Sequence, residues 1–240
     1  MWREPEADAQ RRMISAEEKE YVMAQMRIES LILGMISTNV YFVQNTETRH
    51  LIIIDPAASA DRIKEKVAAM QGIPEAILLT HGHYDHFGAA AEVRAAYQTG
   101  DGRQIPVICE EKEQAVLDDP EANTSPMHGV SATLKADQYV KDGDILHLAG
   151  FTIRVLHTPG HTIGGACYYF PEEHALFSGD TLFCESYGRT DFPTGSGRQM
   201  TESVHRLLRE LPEDTDVYPG HEYTTTIARE KRYNPLAYGA

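Results

Sequence analysis

Four side chains of the kinds that bind metal ions lie within six positions of one another, at the end of an apolar run. They are His81, His83, Asp85 and His86 in the stretch ILLTHGHYDHFGAA, residues 77–90. In an extended loop alternate side chains share a side, so the first three can converge, and a helix beginning at His86 would turn the fourth towards them. Neutral imidazole and carboxylate bind Zn²⁺, Fe²⁺ or Mn²⁺. The spacing favours a metal site over the alternative of ordinary loop histidines at the surface.

Three isolated residues of the same kinds occur further along the chain, each at the end of an apolar run and beside glycine or proline. They are His161 in HTPGHTIGG, Asp180 in LFSGDTLF and His221 in VYPGHEYT. Each one alone is equally well explained as a turn-capping side chain. Their shared setting favours a site that all three join. We assign the remaining histidines to the surface or the core: His50, His128, His147, His157, His174 and His205.

The elements that must position these residues follow a rhythm of strands and helices in both halves of the chain. The first half predicts strands in RIESLILG, NVYFVQ, HLIIID, EAILLT and IPVICE, with helices over 59–71 and through FGAAAEVRAAYQ. After a polar stretch, residues 118–136, the second half predicts strands in DILHLAGFTIRVLHT, GACYYF, HALFSGD and TDVYPG. Helices are predicted over 198–211 and after Tyr223. This order suits two β-sheets packed face to face with helices outside.

Composition argues against several classes of function. With 240 residues and 42% hydrophobic content, the chain can bury the core of one domain. A net charge of -14 argues against a nucleic-acid partner, because such binding depends on Lys and Arg neutralising phosphates. No apolar run approaches the roughly 20 residues of a membrane span, so no membrane partner is expected. The sequence does not indicate an oligomeric state.

The cysteines and the N-terminal segment bear on compartment and domain organisation. Cys109, Cys167 and Cys184 are an odd number without metal-type spacing, which predicts buried or free thiols in a reducing compartment. Residues 1–25 are polar and charged and lack a signal-peptide apolar region, so we expect a cytoplasmic protein. We interpret residues 1–25 as an N-terminal extension that is dispensable for chemistry, and residues 26–240 as the catalytic domain.

The HxHxDH run followed by His161, Asp180 and His221, in that order, resembles the metallo-β-lactamase superfamily over about residues 26–230. Within that superfamily, GHEYT at residues 220–224 is most similar to the glyoxalase II-like hydrolases. The resemblance implies an α/β fold, a four-layer αβ/βα sandwich with two mixed β-sheets face to face and helices outside. It also implies two divalent metal ions, with zinc expected and iron or manganese as alternatives.

The ligand set implied by the resemblance divides seven residues between the two ions. The first ion would be held by His81, His83 and His161, the second by Asp85, His86 and His221, and both would be bridged by Asp180. The β-lactamases of this group usually have cysteine where Asp180 stands and lack a histidine at 86. Antibiotic hydrolysis is therefore disfavoured.

The implied reaction is hydrolysis of a small-molecule thioester such as S-lactoylglutathione. Two divalent ions, two carboxylates and a bridging hydroxide leave a site of roughly +1, which attracts a carbonyl oxygen as it becomes anionic. A bound ion lowers the pKa of water from about 15.7 to about 7, so metal-bound hydroxide would attack while Asp85 ligates and orients it. Arg189 and Tyr223 are the expected substrate-facing residues, although Arg189 could equally form a turn-stabilising pair with Asp191 and Tyr223 could equally have a structural role.

Two other functions remain open from the sequence. GRTDFP, residues 188–193, is similar to the shorter glyoxalase II-like proteins and also resembles the persulfide dioxygenases, which use a single iron held by residues matching His81, His161 and Asp180. Those oxygenases often retain the other ligand residues. A non-catalytic, metal-bound domain that binds a partner is the third alternative. Full-length glyoxalase II enzymes continue into a basic helical domain for glutathione, much longer than the segment after His221 here. Weak affinity for a glutathione portion is therefore expected.

Overall fold

The computed structural model describes residues 25–238, so the predicted N-terminal extension, apart from Gln25, lies outside the described residues. The strands are β1 Met26–Leu33, β2 Thr38–Asn45, β3 His50–Ile54, β4 Ile73–Leu78, β5 Val107–Glu110, β6 Gln138–Val140, β7 Ile145–Leu148, β8 Phe151–His157, β9 Ala166–Phe170, β10 Ala175–Gly179, β11 Leu182–Phe183, β12 Ser186–Tyr187, β13 Asp216–Pro219 and β14 Thr225–Thr226. The α-helices are α1 Ala60–Ala69, α2 Tyr84–Phe87, α3 Ala90–Ala96, α4 Gln114–Leu117, α5 Gly197–Glu210 and α6 Ile227–Tyr233. Short 3₁₀ turns cover Glu111–Glu113 and Ser125–His128.

Most of these strands form two six-stranded mixed sheets. The first has the order β1-β2-β3-β4-β5-β6, with antiparallel pairs as far as β3 and parallel pairs from β3 to β6. The second has the order β14-β13-β10-β9-β8-β7. In it β8, β10 and β13 run in one direction, because β9 is antiparallel to both β8 and β10, and β13 is parallel to β10.

The central strands are apolar on both faces because each face is covered by a different layer. In β3, Leu51 and Ile53 pack with Ile63 of α1 in one core, whereas Ile52 and Ile54 belong to the core between the two sheets. Alternate side chains of a strand point to opposite faces, so an uninterrupted apolar run is what a doubly covered strand requires. Each such buried side chain contributes on the order of 1.5–3 kcal/mol.

The outer face of the second sheet is covered in the same way by α5. Val204, Leu207 and Leu208 lie on one side of that helix and pack against Tyr169 and Leu176. The order of layers is therefore helix, sheet, sheet, helix, and the predicted four-layer αβ/βα sandwich is confirmed. The cysteines are free thiols within the described residues, with Cys109 and Cys167 buried and Cys184 partly buried.

The predicted start of the helix after the histidine run was wrong by two residues. α2 begins at Tyr84, not His86, because the backbone N–H of His86 donates to the His83 carbonyl at 2.9 Å and closes the turn earlier. Asp85 and His86 therefore lie on the same helical turn. No helix in the described part of the chain combines the length and the hydropathy that crossing a membrane demands.

Strand direction brings five loops to one edge of the sandwich. The carboxyl ends of parallel strands meet at the same edge, and β3 and β4 lead into the loops that carry Asp55 and His81. In the second sheet β8, β10 and β13 lead into the loops that carry His161, Asp180 and His221. Because the sheets face each other, the two sets of loops lie side by side.

Glu113 contacts two of these loops and holds them together. Its fully buried carboxylate accepts hydrogen bonds from the backbone N–H groups of Gly82 and Gly164, each at 2.7 Å, and from the hydroxyl of Thr162 at 3.0 Å. A Cβ at Gly164 would lie 2.3 Å from the Glu113 nitrogen, so only glycine permits this approach. Burial raises the pKa of Glu113 to about 7, against the opposing effect of the three donors.

We expect Glu113→Gln to change how stability depends on pH. The folded-state pKa lies above the ordinary value of 4.5, so protonated Glu113 favours the folded state at low pH, and this contribution is lost as the pH rises through 7. The free energy of unfolding of the wild type, minus that of the variant, should fall by roughly 2–3 kcal/mol between pH 5 and pH 8. Urea unfolding of both proteins in EDTA measures it. Glu111→Gln, an exposed acid of the same turn, should show no such slope.

Candidate metal centre

The structure brings the seven predicted ligand-type side chains together at the loop edge of the sandwich. They form three overlapping groups, in each of which the ligand atoms lie within 4.8 Å of one another. The groups are His81 with His83 and His161, His81 with His86 and Asp180, and Asp85 with His86 and His221. The first and third groups coincide with the two ligand sets that the resemblance implied.

Asp180 lies between the group that contains His83 and His161 and the group that contains Asp85 and His221. Its Oδ2 is 3.4 Å from Nε2 of His161 and 3.5 Å from Nε2 of His221, while its Oδ1 is 3.4 Å from Nε2 of His86. A single carboxylate therefore faces both groups at once. This is the position that a bridging ligand requires.

Nitrogen and oxygen atoms of these side chains face one another at short distances. Nδ1 of His83 lies 2.8 Å from Nε2 of His161, and Oδ2 of Asp85 lies 3.3 Å from Nε2 of both His86 and His221. Nδ1 of His161 lies 2.7 Å from the carbonyl oxygen of Arg189, which can only accept, so this nitrogen carries the hydrogen and Nε2 keeps its lone pair.

Asp55 fixes two more imidazoles in the same way. Its Oδ2 lies 2.9 Å from Nδ1 of His86 and accepts the Thr80 hydroxyl at 2.6 Å. The Thr80 oxygen is thereby free to accept from Nδ1 of His81, at 3.2 Å. Both imidazoles donate outward through Nδ1 and present Nε2 to the cluster. Metal-binding histidines are oriented by such outer hydrogen bonds.

Three buried atoms of the cluster have no hydrogen-bond partner within the described residues: Nε2 of His81, Nε2 of His83 and Oδ1 of Asp180. Buried polar atoms are nearly always paired, since an unpaired one costs about 1–3 kcal/mol. Nε2 of His81 and the carboxylate Oδ1 of Asp180 match what a divalent cation binds, whereas His83 turns Nδ1 and not Nε2 towards His161. The residues present therefore fit a metal ion.

Electrostatics divides the cluster into neutral imidazoles and a part where carboxylates lie beside imidazoles. In the second part burial disfavours the charged form of His86 and His221, but Asp85 and Asp180 outweigh it and raise the pKa of both. Burial lowers the pKa of His81, His83 and His161, so these imidazoles are neutral, which is the form that binds metal. Burial opposes ionisation of Asp85 as well, but the neighbouring His86 and His221 outweigh it and lower the pKa of Asp85. That carboxylate is ionised at neutral pH.

The start of β2 supports the loop that carries His221. The Asn39 backbone N–H donates to the Gly220 carbonyl at 2.8 Å, and the Tyr41 hydroxyl donates to the Pro219 carbonyl at 2.8 Å. A Cβ at Gly220 would lie 2.3 Å from Oδ1 of Asp180, so a larger residue would push that carboxylate out of place. Thr38, the first residue of β2, donates its hydroxyl to Oδ2 of Asp85 at 3.0 Å.

Several functional residues escaped the sequence analysis. Asp55 closes the apolar run HLIIID and precedes proline, so its position at a strand end was a usable signal. Thr38, Thr80 and Glu113 carry no such mark, because their contacts are to residues that are distant in sequence. His128, assigned to the surface or core, lines the cleft described next.

A cleft of about 750 Å³ opens onto the cluster and includes both predicted substrate-facing residues. The guanidinium of Arg189 donates to both carboxylate oxygens of Asp191 at 2.6 Å and lies over the Phe192 ring, 4.0 Å from its centroid. Arg189 thus forms the turn-stabilising pair and also lines the cleft. Tyr223 lies at the mouth, 80% exposed.

Several known proteins are similar to this chain over most of its length. The hydroxyacylglutathione hydrolase GloC of Haemophilus influenzae is 34% identical over 213 residues, which cover 88% of this chain and 98% of that protein. The structure of BLEG-1, a B3 metallo-β-lactamase, superposes with a TM-score of 0.81 at 38% identity, covering 89% of this chain and all of that one. TTHA1623, in a di-iron-bound form, gives a TM-score of 0.74 at 33% identity and covers 87% and 99%. The expectation against antibiotic hydrolysis stays a prediction.

The family model of the metallo-β-lactamase superfamily matches residues 33–221, which contain all seven ligand-type residues. The chain belongs to the metallo-β-lactamase superfamily and is a metallo-hydrolase with a metal site of histidines and aspartates.

Proposed function

We propose that this protein is a two-metal hydrolase of thioesters. The observation that carries the proposal is the position of Asp180, whose Oδ2 lies within 3.5 Å of histidines of both ligand sets and whose Oδ1 lies 3.4 Å from His86. The group of Asp85, His86 and His221 beside that carboxylate offers the ligands that a second ion would need. The name of the similar GloC protein, a hydroxyacylglutathione hydrolase, supports the thioester class.

The assignment of ligands follows the three groups. The first ion would be held by His81, His83 and His161, the second by Asp85, His86 and His221, with Asp180 between them. Zinc remains the expected metal, and the di-iron form of a similar protein supports iron as an alternative. When bound, the ions supply a Lewis acid for the acyl oxygen and a hydroxide nucleophile at neutral pH.

The chain's own residues position the reaction. Water adds its oxygen to the acyl carbon, the C–S bond breaks, the sulfur leaves as a thiol with one proton, and the acid leaves as a carboxylate with its proton released to solvent. Asp85 borders both the second histidine group and the cleft, so we assign to it the orientation of the attacking oxygen. Thr38 holds Asp85 for this task through Oδ2, at 3.0 Å.

The persulfide dioxygenase is the alternative that the same residues allow. It needs one iron on His81, His161 and Asp180, and it makes no use of His86 or His221. The non-catalytic binding domain is a third and weaker alternative, since a cleft with a converging set of ligand-type side chains is the usual form of an active site.

Removing metal should lower the melting temperature. A ligand that binds the folded state alone stabilises it, by about 4 kcal/mol when its concentration is a thousand times Kd. For a chain of this size that corresponds to a fall on the order of 10 °C after EDTA treatment. Differential scanning calorimetry measures it, and re-addition of Zn²⁺ should restore the original value. A chelated sample that melts with the loaded one would show that the cluster is not a tight metal site.

Asp55→Asn should weaken metal binding without disturbing the backbone. Asp55 has φ +50°, a conformation that asparagine also tolerates. The asparagine amide, however, would present N–H groups to Thr80 or His86, where the carboxylate of Asp55 accepts. We expect metal affinity to fall by about 10–100-fold. Competition with a chelating dye measures the affinity. Asp61→Asn, an exposed acid on α1, is the matched control and should bind metal as the wild type does.

His86→Ala separates the leading function from its alternative. A hydrolase that needs both ions should lose about 100-fold or more of its activity, because the second ion is lost. A single-iron oxygenase should survive the change. The measurements are the rate of S-lactoylglutathione cleavage and the rate of oxygen uptake with glutathione persulfide. The metal content of each sample is measured as well. His147→Ala, an exposed histidine of β7, is the control. Oxygen uptake that persists in the variant, with no thioester cleavage by wild type, would favour the oxygenase.

A further inference from the structure

Five exposed apolar and aromatic side chains surround the mouth of the cleft over the metal centre. They are Ile32 (62% exposed), Met35 (79%), Ile36 (53%), Met127 (67%) and Tyr223 (80%), which we call the apolar rim. Thirteen large side chains of this kind are exposed among the described residues, and these five gather around one cleft. Single exposed apolar residues are ordinary, whereas a contiguous set beside a polar centre marks a binding surface.

The apolar rim is contributed by separate parts of the chain. Ile32 lies near the end of β1, Met35 and Ile36 lie in the turn before β2, Met127 lies in a 3₁₀ turn and Tyr223 follows His221. Methionine side chains adapt to irregular apolar ligands, because they are unbranched and flexible. The rim therefore surrounds the mouth from several sides with groups suited to a hydrocarbon chain.

Cationic side chains are scarce around the same cleft. Among the described residues that line it, Arg189 carries the one permanent positive charge, and Asp191 already binds its guanidinium through two hydrogen bonds. Glu222 adds a negative charge to the lining. Glutathione carries two carboxylates at neutral pH, and carboxylates are bound by charged or hydrogen-bonding donors. The lining is thus poorly matched to a glutathione portion.

We propose that the apolar rim binds the acyl chain of the substrate, so that the preferred substrates are thioesters of aliphatic or aromatic acids and not glutathione conjugates. This proposal rests on the proposed thioester hydrolysis. His161, Asp180 and His221 line the same cleft as the rim. An acyl carbon held at the metal centre therefore leaves the rest of its chain against the rim.

The test uses thioesters of one small uncharged thiol, N-acetylcysteamine, with acetyl, butanoyl, hexanoyl and octanoyl groups, and the metal-loaded wild-type protein. Each methylene that leaves water against the apolar rim should raise kcat/KM by about two- to fourfold. The hexanoyl thioester should exceed the acetyl thioester by about 15-fold or more. It should also exceed S-lactoylglutathione.

The double variant Met35→Ser with Ile36→Ser removes two rim side chains that are already exposed, so folding should be retained. It should reduce the preference for hexanoyl over acetyl by about fivefold or more. The matched control is Ile145→Ser on β7, 50% exposed and outside the cleft lining, which should keep the wild-type preference. Calorimetric binding of octanoate and acetate to the same proteins gives a readout that does not depend on turnover, and only the wild type and the control should prefer octanoate.

The outcomes distinguish the proposal on the acyl chain from the proposed thioester hydrolysis on which it rests. Turnover of every thioester at similar rates, or a preference for S-lactoylglutathione, would overturn the substrate proposal and leave thioester hydrolysis standing. A rising series that the double variant leaves unchanged would also overturn it, because the preference would then arise elsewhere. No cleavage of any thioester by the metal-loaded wild type would overturn both.

Discussion

The crowding of ligand-type atoms at the edge of the two sheets is the constraint on which the rest of the structure depends. Nδ1 of His83 and Nε2 of His161 lie 2.8 Å apart, and Oδ2 of Asp85 lies 3.3 Å from two further imidazole nitrogens. Lone pairs and negative charges at these distances repel unless a cation or a proton lies between them. Hydrogen bonds from other residues must therefore hold each side chain in position, so that the ligand set is already formed when a divalent ion binds. Preorganisation of this kind is what separates a catalytic metal site from a chance cluster of histidines.

Two buried carboxylates supply much of that support. Asp55 accepts from the Thr80 backbone and hydroxyl and faces Nδ1 of His86, while Glu113 accepts from Gly82, Thr162 and Gly164. Burial of an unpaired carboxylate would be strongly unfavourable, and three polar contacts at each of these two offset that cost. Both residues follow parallel strands of the first sheet, yet Glu113 reaches a loop of the second. The sandwich thus links its two sheets at the site through charge and hydrogen bonds, and elsewhere through apolar packing.

The sequence was most informative where a pattern is local. Apolar runs such as LIII in β3 predicted the doubly covered strands, and Gly or Pro beside His161, Asp180 and His221 marked the strand ends that carry them. The start of α2 was misplaced by two residues, because a hydrogen bond between His83 and His86 has no signature in residue type. Glu113 was missed for a related reason. Its partners lie 31 to 51 positions away, and nothing about an acid in EKEQ indicates complete burial.

The two kinds of residue around this centre should act on different kinetic quantities. Asp55 and Glu113 set the position of ligands that contact the reacting atoms, so their effect belongs to the transition state and to kcat. The apolar rim lies at the mouth, with exposed side chains near the end of β1 and in loops, and in our proposal it contacts a part of the substrate that does not change during the reaction. Binding energy of that kind is shared by the ground state and the transition state, which lowers KM and leaves kcat nearly constant. A cleft lining with few cations can then still bind and turn over such a substrate. Hydrocarbon burial supplies the affinity, and the metal centre supplies the positive charge that the developing oxyanion requires.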